Sequence, residues 1–135
     1  MRTAWALRIV VAVCVIVSGV VHFRLWRDGM RFVDIVGPAF LVNAVAGVVI
    51  GVLLLVWRHW LPPLLAVGFG AATLGAFIVA TTPLGLFGVH SRWEGRQEWV
   101  GAITEALAIV LGSTALLRER RPLRNRPGSD AAPPR

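Results

Sequence analysis

The chain has 135 residues, 56% of them hydrophobic, and its net charge of +7 comes from 14 arginines without any lysine. This length allows one domain at most, and a mean hydropathy of +0.70 is typical of a chain whose solvent is lipid. Its single cysteine, Cys14, lies in an apolar run. That placement excludes a disulfide framework and the CxxC chemistry of thioredoxin-like and vitamin-K-reductase-like proteins.

The first two apolar segments, about 4–23 and 36–57, are predicted to be membrane helices. The first follows a basic start and so resembles a signal peptide, but no small-residue cleavage site follows it, and we expect it to be retained. The second contains the stretch 37–57, which carries no charge and has Asn43 as its only strongly polar side chain. At about 1.5 Å per residue, this stretch spans roughly the ~30 Å hydrocarbon core of a bilayer.

Two more helices are predicted at about 61–82 and 98–117. Pro62 and Pro63 start the third helix, because a proline in the first turn loses no hydrogen bond. Charged loops are predicted before the second and fourth helices, and the short apolar segment 84–89 is expected at the membrane interface. The predicted fold is therefore an all-α integral membrane four-helix bundle over residues 1–117. A disordered, basic, proline-rich tail over 118–135 is predicted to follow it.

The distribution of arginine predicts which side of the membrane holds the termini. The termini and the loop between the second and third helices carry nine arginines, and the other two loops carry five, which four acids nearly cancel. Under the positive-inside rule, both termini face the cytoplasm of a bacterial inner membrane. Because the basic residues follow this rule, we expect no nucleic-acid partner. The arginines predicted to anchor the chain to lipid and fix its topology are Arg118, Arg120, Arg121, Arg124 and Arg126.

Small residues indicate where the helices pack, because lipid supplies no hydrophobic driving force between membrane helices. The predicted packing faces are Gly47-xxx-Gly51, Gly68-xxx-Ala72-xxx-Ala76 and Ala108-xxx-Gly112. Packing within one chain is the first interpretation of these faces, and homo-oligomerisation through one of them is the alternative.

Polar side chains interrupt three of the apolar segments at a similar predicted depth, far from the termini: His22, Asn43 and Glu105. Ser18, Thr81 and Thr82 lie at positions from which they could join this layer. A carboxyl group inside a membrane helix costs a few kcal/mol, so Glu105 should face the bundle, either protonated or paired with His22. Two interpretations stay open: a hydrogen-bond network that only fixes helix register, and a ligand-binding or proton-sensitive pocket.

Two further combinations of residues are weaker. Bis-histidine haem ligation by His22 and His90 would need both on facing helices, and His90 falls in a predicted loop. His90, Glu94 and Glu98 have metal-ligand spacing if helical, but Gly95 and the neighbouring arginines favour a solvated charged segment. The sequence therefore predicts no metal site and no catalytic residue, and it identifies no cofactor.

Four short stretches carry a resemblance to a known group of proteins. They are SGVVHFRLW with His22, DIVGPAFLVNAVAG with Asn43, GLFG at 85–88, and TEALAIVLG with Glu105. Together they resemble small four-span integral membrane proteins of actinobacteria, to which no activity is assigned. The resemblance implies a bacterial inner-membrane protein and draws attention to the same three polar residues. The chain also has the size of small multidrug transporters, but those carry their acid in the first helix, not in the fourth.

Three functional hypotheses follow from these patterns. The first is a non-enzymatic binding or accessory subunit with an outward-facing intramembrane polar pocket, whose ligand is a lipid, a quinone or a partner membrane helix. The second is a proton-coupled small transporter with Glu105 as the exchangeable carboxyl and His22 as a relay. The third is a membrane redox protein that binds quinone or haem.

Overall fold

The computed structural model describes residues 2–124, with side chains from 4 to 120. Its main elements are the helices α1 (Arg2–Asp28), α2 (Val36–Val56), α3 (Leu61–Ala80) and α4 (Arg96–Arg124). Each of the four is long and apolar enough to cross a membrane. The predicted all-α four-helix membrane bundle is thus confirmed. Residues 125–135 of the predicted tail lie outside the described residues.

Two helices extend beyond their predicted ends. Helix α1 continues through Asp28, into the segment predicted as a polar loop, and a single 3-10 turn at Met30–Phe32 follows it. Helix α4 starts at Arg96 and continues to Arg124, so the first seven residues of the predicted tail are helical. Hydropathy marks where the apolar span ends, whereas backbone hydrogen bonding continues into the polar interface, where arginine is a good helix former.

The helices form an up-down-up-down bundle in which α1 packs on α2 and α4, and α3 packs mainly on α4. The end that carries the first residues of α1 and the last residues of α4 is called the proximal end. The opposite end, with the connections 29–35 and 81–95, is called the distal end. Among neighbouring helices of the bundle, α2 and α3 contact each other least.

The contact between α1 and α2 depends on two glycines that meet backbone to backbone. A Cβ added at Gly47 would lie 2.5 Å from the Val15 carbonyl oxygen, and one at Gly19 would lie 2.9 Å from the Ala44 carbonyl oxygen. No real Cβ atom tolerates such a distance, so only glycine permits this crossing. The predicted face at Gly47 and Gly51 is confirmed, and Gly19 is its partner on α1.

The contact between α3 and α4 confirms one predicted face and corrects another. Ala108 is fully buried, and Gly112 packs against Val67 of α3. The face predicted on α3 is wrong at Gly68 and Ala72, which are both exposed. Instead, Gly70 faces α4, where an added Cβ would lie 2.7 Å from the Glu105 carbonyl oxygen. Small residues occur on several sides of α3, so their spacing alone does not identify the packed side.

Arg8 joins three helices at the proximal end and is only 3% exposed. Its Nε and one Nη donate to the Glu119 carboxylate of α4, at 2.7 and 3.2 Å. The other three N–H groups donate to the carbonyl oxygens of Leu54, Trp57 and His59, where α2 ends. All five guanidinium donors therefore have acceptors, and the Leu54 carbonyl, left free by the end of α2, has a cationic partner.

A glycine-to-alanine exchange tests the packing of α1 on α2. Gly47→Ala should lower the free energy of unfolding by about 1–3 kcal/mol, because the added methyl group collides with the backbone of α1. Gly68→Ala is the matched control, since nothing lies within 4 Å of a Cβ at this position, and its effect should stay within about 0.5 kcal/mol. Reversible unfolding in mixed micelles measures both variants. Equal losses would contradict this packing.

Removal of the Arg8 side chain tests the proximal network. Arg8→Met should destabilise the bundle by about 3 kcal/mol, because the partly buried Glu119 carboxylate loses its ion pair and three carbonyl oxygens lose the Arg8 donor at once. The exposed Arg118 provides the control variant Arg118→Met, which should change stability little. Combining Arg8→Met with Glu119→Met should recover part of the loss. A loss no larger than that of Arg118→Met would refute the network's role.

Candidate functional site

A cavity of about 160 Å³ lies at the distal end of the bundle. All four helices and the connections 29–35 and 81–95 contribute to its wall. Most of the lining side chains are apolar, among them the aromatic rings of Phe40, Phe77 and Phe87. The polar lining side chains are His22, Asn43, Thr73, Ser91, Gln97, Glu98 and Glu105. This composition suits a ligand that is mostly apolar and carries one polar group.

The connection 81–95 folds back over the cavity through unusual backbone conformations. Gly85, Phe87 and Gly88 all have positive φ angles, of 65°, 49° and 82°. For Phe87 this conformation is strained, because L-residues other than glycine rarely adopt it. The backbone groups of Leu86 and Val89 exchange hydrogen bonds of 2.8 and 2.9 Å, which closes the turn. The segment 84–89, expected at the interface, therefore forms part of the cavity wall, while Phe87 stays 69% exposed.

Three aromatic side chains fasten this connection to the helices. The ring of Trp93 packs edge-on against Phe77 of α3, with centroids 4.6 Å apart, and against Trp99 of α4 at 4.8 Å. Trp99 Nε1 also donates to the Trp93 carbonyl oxygen at 3.2 Å. Aromatic pairs with this geometry stabilise beyond the area that they bury. These contacts hold the connection 81–95 against α3 and α4.

Ser18, His22 and Glu105 form a polar cluster on the side of the cavity made by α1 and α4, called here the distal cluster. The Ser18 hydroxyl donates to Glu105 Oε1 at 2.9 Å, and His22 Nε2 lies 3.9 Å from the same oxygen. Ser18 and Glu105 are both buried, with Glu105 only 3% exposed. His22 and Glu105, predicted at a similar depth, and Ser18, predicted near them, thus lie in contact between the first and fourth helices.

The hydrogen bonds of His22 define which of its nitrogens carries a proton. Its Nδ1 lies 2.8 Å from the Ser18 carbonyl oxygen, which can only accept, so Nδ1 carries a hydrogen and donates it. In a neutral ring Nε2 is then an acceptor, and it faces the acceptor Oε1 of Glu105 across 3.9 Å. Two acceptors repel each other, so this gap favours a proton on one of them or a donor from a ligand between them.

The remaining polar residues of the lining divide into predicted and unpredicted ones. Asn43, one of the predicted residues, borders the cavity from α2. Thr73 of α3 also lines it, and its hydroxyl donates to the Phe69 carbonyl oxygen at 2.7 Å. Gln97 was missed because it falls in a segment predicted as a charged loop. Its Oε1 is buried and has no hydrogen-bond partner among the described residues, so an acceptor is left unsatisfied beside the cavity.

Two predicted members of the polar layer lie away from it. Thr81 and Thr82 do not line the cavity, and their hydroxyls donate to the carbonyl oxygens of Ile78 and Val79, three residues earlier. Threonine near a helix end commonly satisfies its hydroxyl in this way and needs no partner on another helix. The predicted third helix, about 61–82, included both threonines, but α3 ends at Ala80, so both lie just past its end.

The haem and metal interpretations find no support in the arrangement of ligands. His90 lies outside the cavity lining, and its Nε2 is 3.2 Å from the Pro83 carbonyl oxygen. Within the part of the chain that the structure describes, no three His, Cys, Asp or Glu side chains form a group suited to a metal ion.

The predicted anchor lies at the proximal end. Arg118 and Arg120 are exposed on α4, and the Arg120 guanidinium lies over the Trp60 ring, 4.7 Å from its centroid. Tryptophan is enriched at the membrane–water interface, and this cation–π contact holds the basic side chain at the same depth. Arg121 and Arg124 belong to the described backbone of α4 only, and Arg126 lies outside the described residues.

Comparison with known proteins adds no assignment, because no protein-family model, curated protein or solved structure matches this chain.

A double-mutant cycle tests the contact between Ser18 and Glu105. The variants Ser18→Ala and Glu105→Gln should be coupled by about 1 kcal/mol in the free energy of unfolding, which is typical of hydrogen bonds between membrane helices. Thr114→Val supplies the control cycle with Glu105→Gln, because the Thr114 hydroxyl donates only to Val110 of its own helix, and its coupling should be near zero. Equal coupling in both cycles would contradict a specific contact.

Proposed function

We propose that this membrane protein is a non-enzymatic binding or accessory subunit that holds a small amphiphilic ligand in the distal cavity. The observation that carries the proposal is the cavity itself. Its wall is largely apolar, and the buried Glu105 and the unsatisfied Gln97 oxygen lie in the same lining. A buried acceptor without a partner is costly in a membrane interior, and a ligand that donates a hydrogen bond removes this cost.

The position of the cavity along the bundle favours binding over transport. Between the distal cluster and the Arg8 network, the interior is filled by buried apolar side chains, including Val11, Val15 and Leu54. A proton-coupled transporter that used Glu105 would need a polar route through this core toward the proximal end. The proposal therefore ranks ligand binding first and keeps proton-coupled transport as the competing function.

The proposal also includes an orientation. Because the terminal segments of the sequence and the connection between α2 and α3 carry nine arginines, the positive-inside rule puts both termini in the cytoplasm of a bacterial inner membrane. The distal cavity then opens toward the outer half of the bilayer, where a lipid, a quinone or a partner helix is available. The resemblance to four-span proteins of actinobacteria is in keeping with this location.

Native mass spectrometry of the protein extracted in mild detergent tests the proposal. We expect a discrete bound mass on the unaltered chain, and Ala76→Phe should remove it, because the added ring fills the cavity from α3. Ala72→Phe is the matched control, since Ala72 is exposed on the same helix, and this variant should keep the bound mass. A bare protein in every preparation, or equal loss from both variants, would overturn the proposal.

A further inference from the structure

The charges around the distal cavity differ from those of the chain as a whole. The chain has twice as many arginines as acids, 14 against 7. Among the residues whose side chains the structure describes, however, the cavity lining includes Glu98 and Glu105 and no arginine. A lining in which negative groups are retained and the abundant positive ones are absent favours a ligand of positive charge.

The arginines of the distal end have other partners or lie in the open. The Arg31 guanidinium lies over the Phe32 ring at 4.7 Å, and Arg92 pairs with Glu94 at 3.5 Å on the surface. Neither arginine reaches the lining. Among the side chains that the structure describes, His22 is the one lining residue able to carry a positive charge, and it faces Glu105. With one proton shared between His22 and Glu105, this pair carries no net charge on either arrangement, and the Glu98 carboxylate leaves the lining with a net negative charge.

The hydrogen-bonding groups of the cavity also select the type of cation. The acceptors that border it include the Glu105 carboxylate, the buried Gln97 Oε1, and Nε2 of a neutral His22. A protonated primary amine has three N–H donors and could satisfy acceptors of this kind, whereas a carboxylate or a phosphate would add further acceptors. The aromatic side chains of Phe40, Phe77 and Phe87 in the same lining offer contact to the apolar body of such a ligand.

We propose that the ligand class of the distal cavity is a cationic amphiphile, a protonated amine on an apolar body. This inference rests on the proposed binding function and deepens it by naming the charge of the ligand. The ammonium group lies against Glu105 and Gln97 on the α4 side, and the apolar body lies against α2 and α3. A neutral alcohol of the same shape satisfies fewer acceptors and neutralises no charge, and an anion is repelled.

Three probes that share the same apolar body and differ in their polar group distinguish a cation, a neutral alcohol and an anion. They are 4-butylbenzylamine in its protonated form, 4-butylbenzyl alcohol and 4-butylbenzoate. Their dissociation constants are measured on the full chain in lipid nanodiscs by isothermal titration calorimetry, with empty nanodiscs subtracted. The ammonium probe should bind about tenfold more tightly than the alcohol, and the benzoate more weakly still. Binding of the alcohol or the benzoate as tightly as the ammonium probe overturns the cationic class, and so does no binding of the ammonium probe.

Substitution of the carboxylates localises the effect. Glu105→Gln should reduce the ratio of ammonium to alcohol affinity to about one, and Glu98→Gln should reduce it partly. Glu94→Gln is the control, because Glu94 is exposed and outside the lining, and it should leave the ratio unchanged. An undiminished ratio in both lining variants overturns the proposal. If Glu105→Gln does not fold, Glu98→Gln and the probe series on the unaltered chain decide the question.

The two proposals fail in different ways. Loss of the bound mass in both alanine-to-phenylalanine variants, or its absence throughout, overturns the binding function whatever the three probes show. A bound mass that the cavity-filling variant alone removes, together with an alcohol that binds as well as the ammonium probe, leaves the binding function standing. That combination overturns the cationic ligand class alone.

Discussion

The Arg8 network is the interaction on which the closed proximal end of the bundle depends. In a bilayer, polar groups have to be satisfied within the protein, and a guanidinium has five donors to satisfy. Arg8 meets this demand with the carboxylate of α4 and with carbonyl oxygens where α2 ends, so a single side chain holds α1, α2 and α4 together. The termini of three helices are thereby fixed at one end.

At the distal end, the polar groups are only partly satisfied by hydrogen bonds within the described residues. The distal cluster joins α1 to α4 through Ser18 and Glu105, but His22 Nε2 faces another acceptor, and Gln97 Oε1 has no partner among the described residues. Unsatisfied acceptors next to a cavity are unfavourable without a ligand and become favourable when a donor is bound. The Arg8 guanidinium is therefore fully hydrogen-bonded, whereas the distal end has acceptors that the proposed ligand would satisfy.

Much of this fold is predictable from the sequence, because a bilayer imposes a length and an apolar composition on each helix. The four helices and two of the three packing faces follow from those constraints. The third face was wrong because α3 carries alanine or glycine on several sides, and only the position of α4 shows that Gly70 is the one in contact. The partners of Arg8 were not predictable either, because they come from positions 46 to 111 residues away along the chain.

The candidate site shows which polar residues a sequence reveals. His22 and Glu105 interrupt apolar segments, and a buried charge in a membrane helix needs a partner, so both stand out. Thr81 and Thr82 were predicted in the same layer, but each hydroxyl donates to a carbonyl oxygen three residues earlier and needs no partner on another helix.

Gln97 was not predicted, because it lies among charged neighbours in the sequence. Since α4 begins at Arg96, however, Gln97, Gly101 and Glu105 follow one another at the helical spacing of four. A Cβ at Gly101 would lie 3.9 Å from Glu105 Oε1, so glycine at this position keeps the space beside the carboxylate open. The start of a helix, set by its backbone hydrogen bonds and not by hydropathy, thus decides which residues reach a membrane cavity.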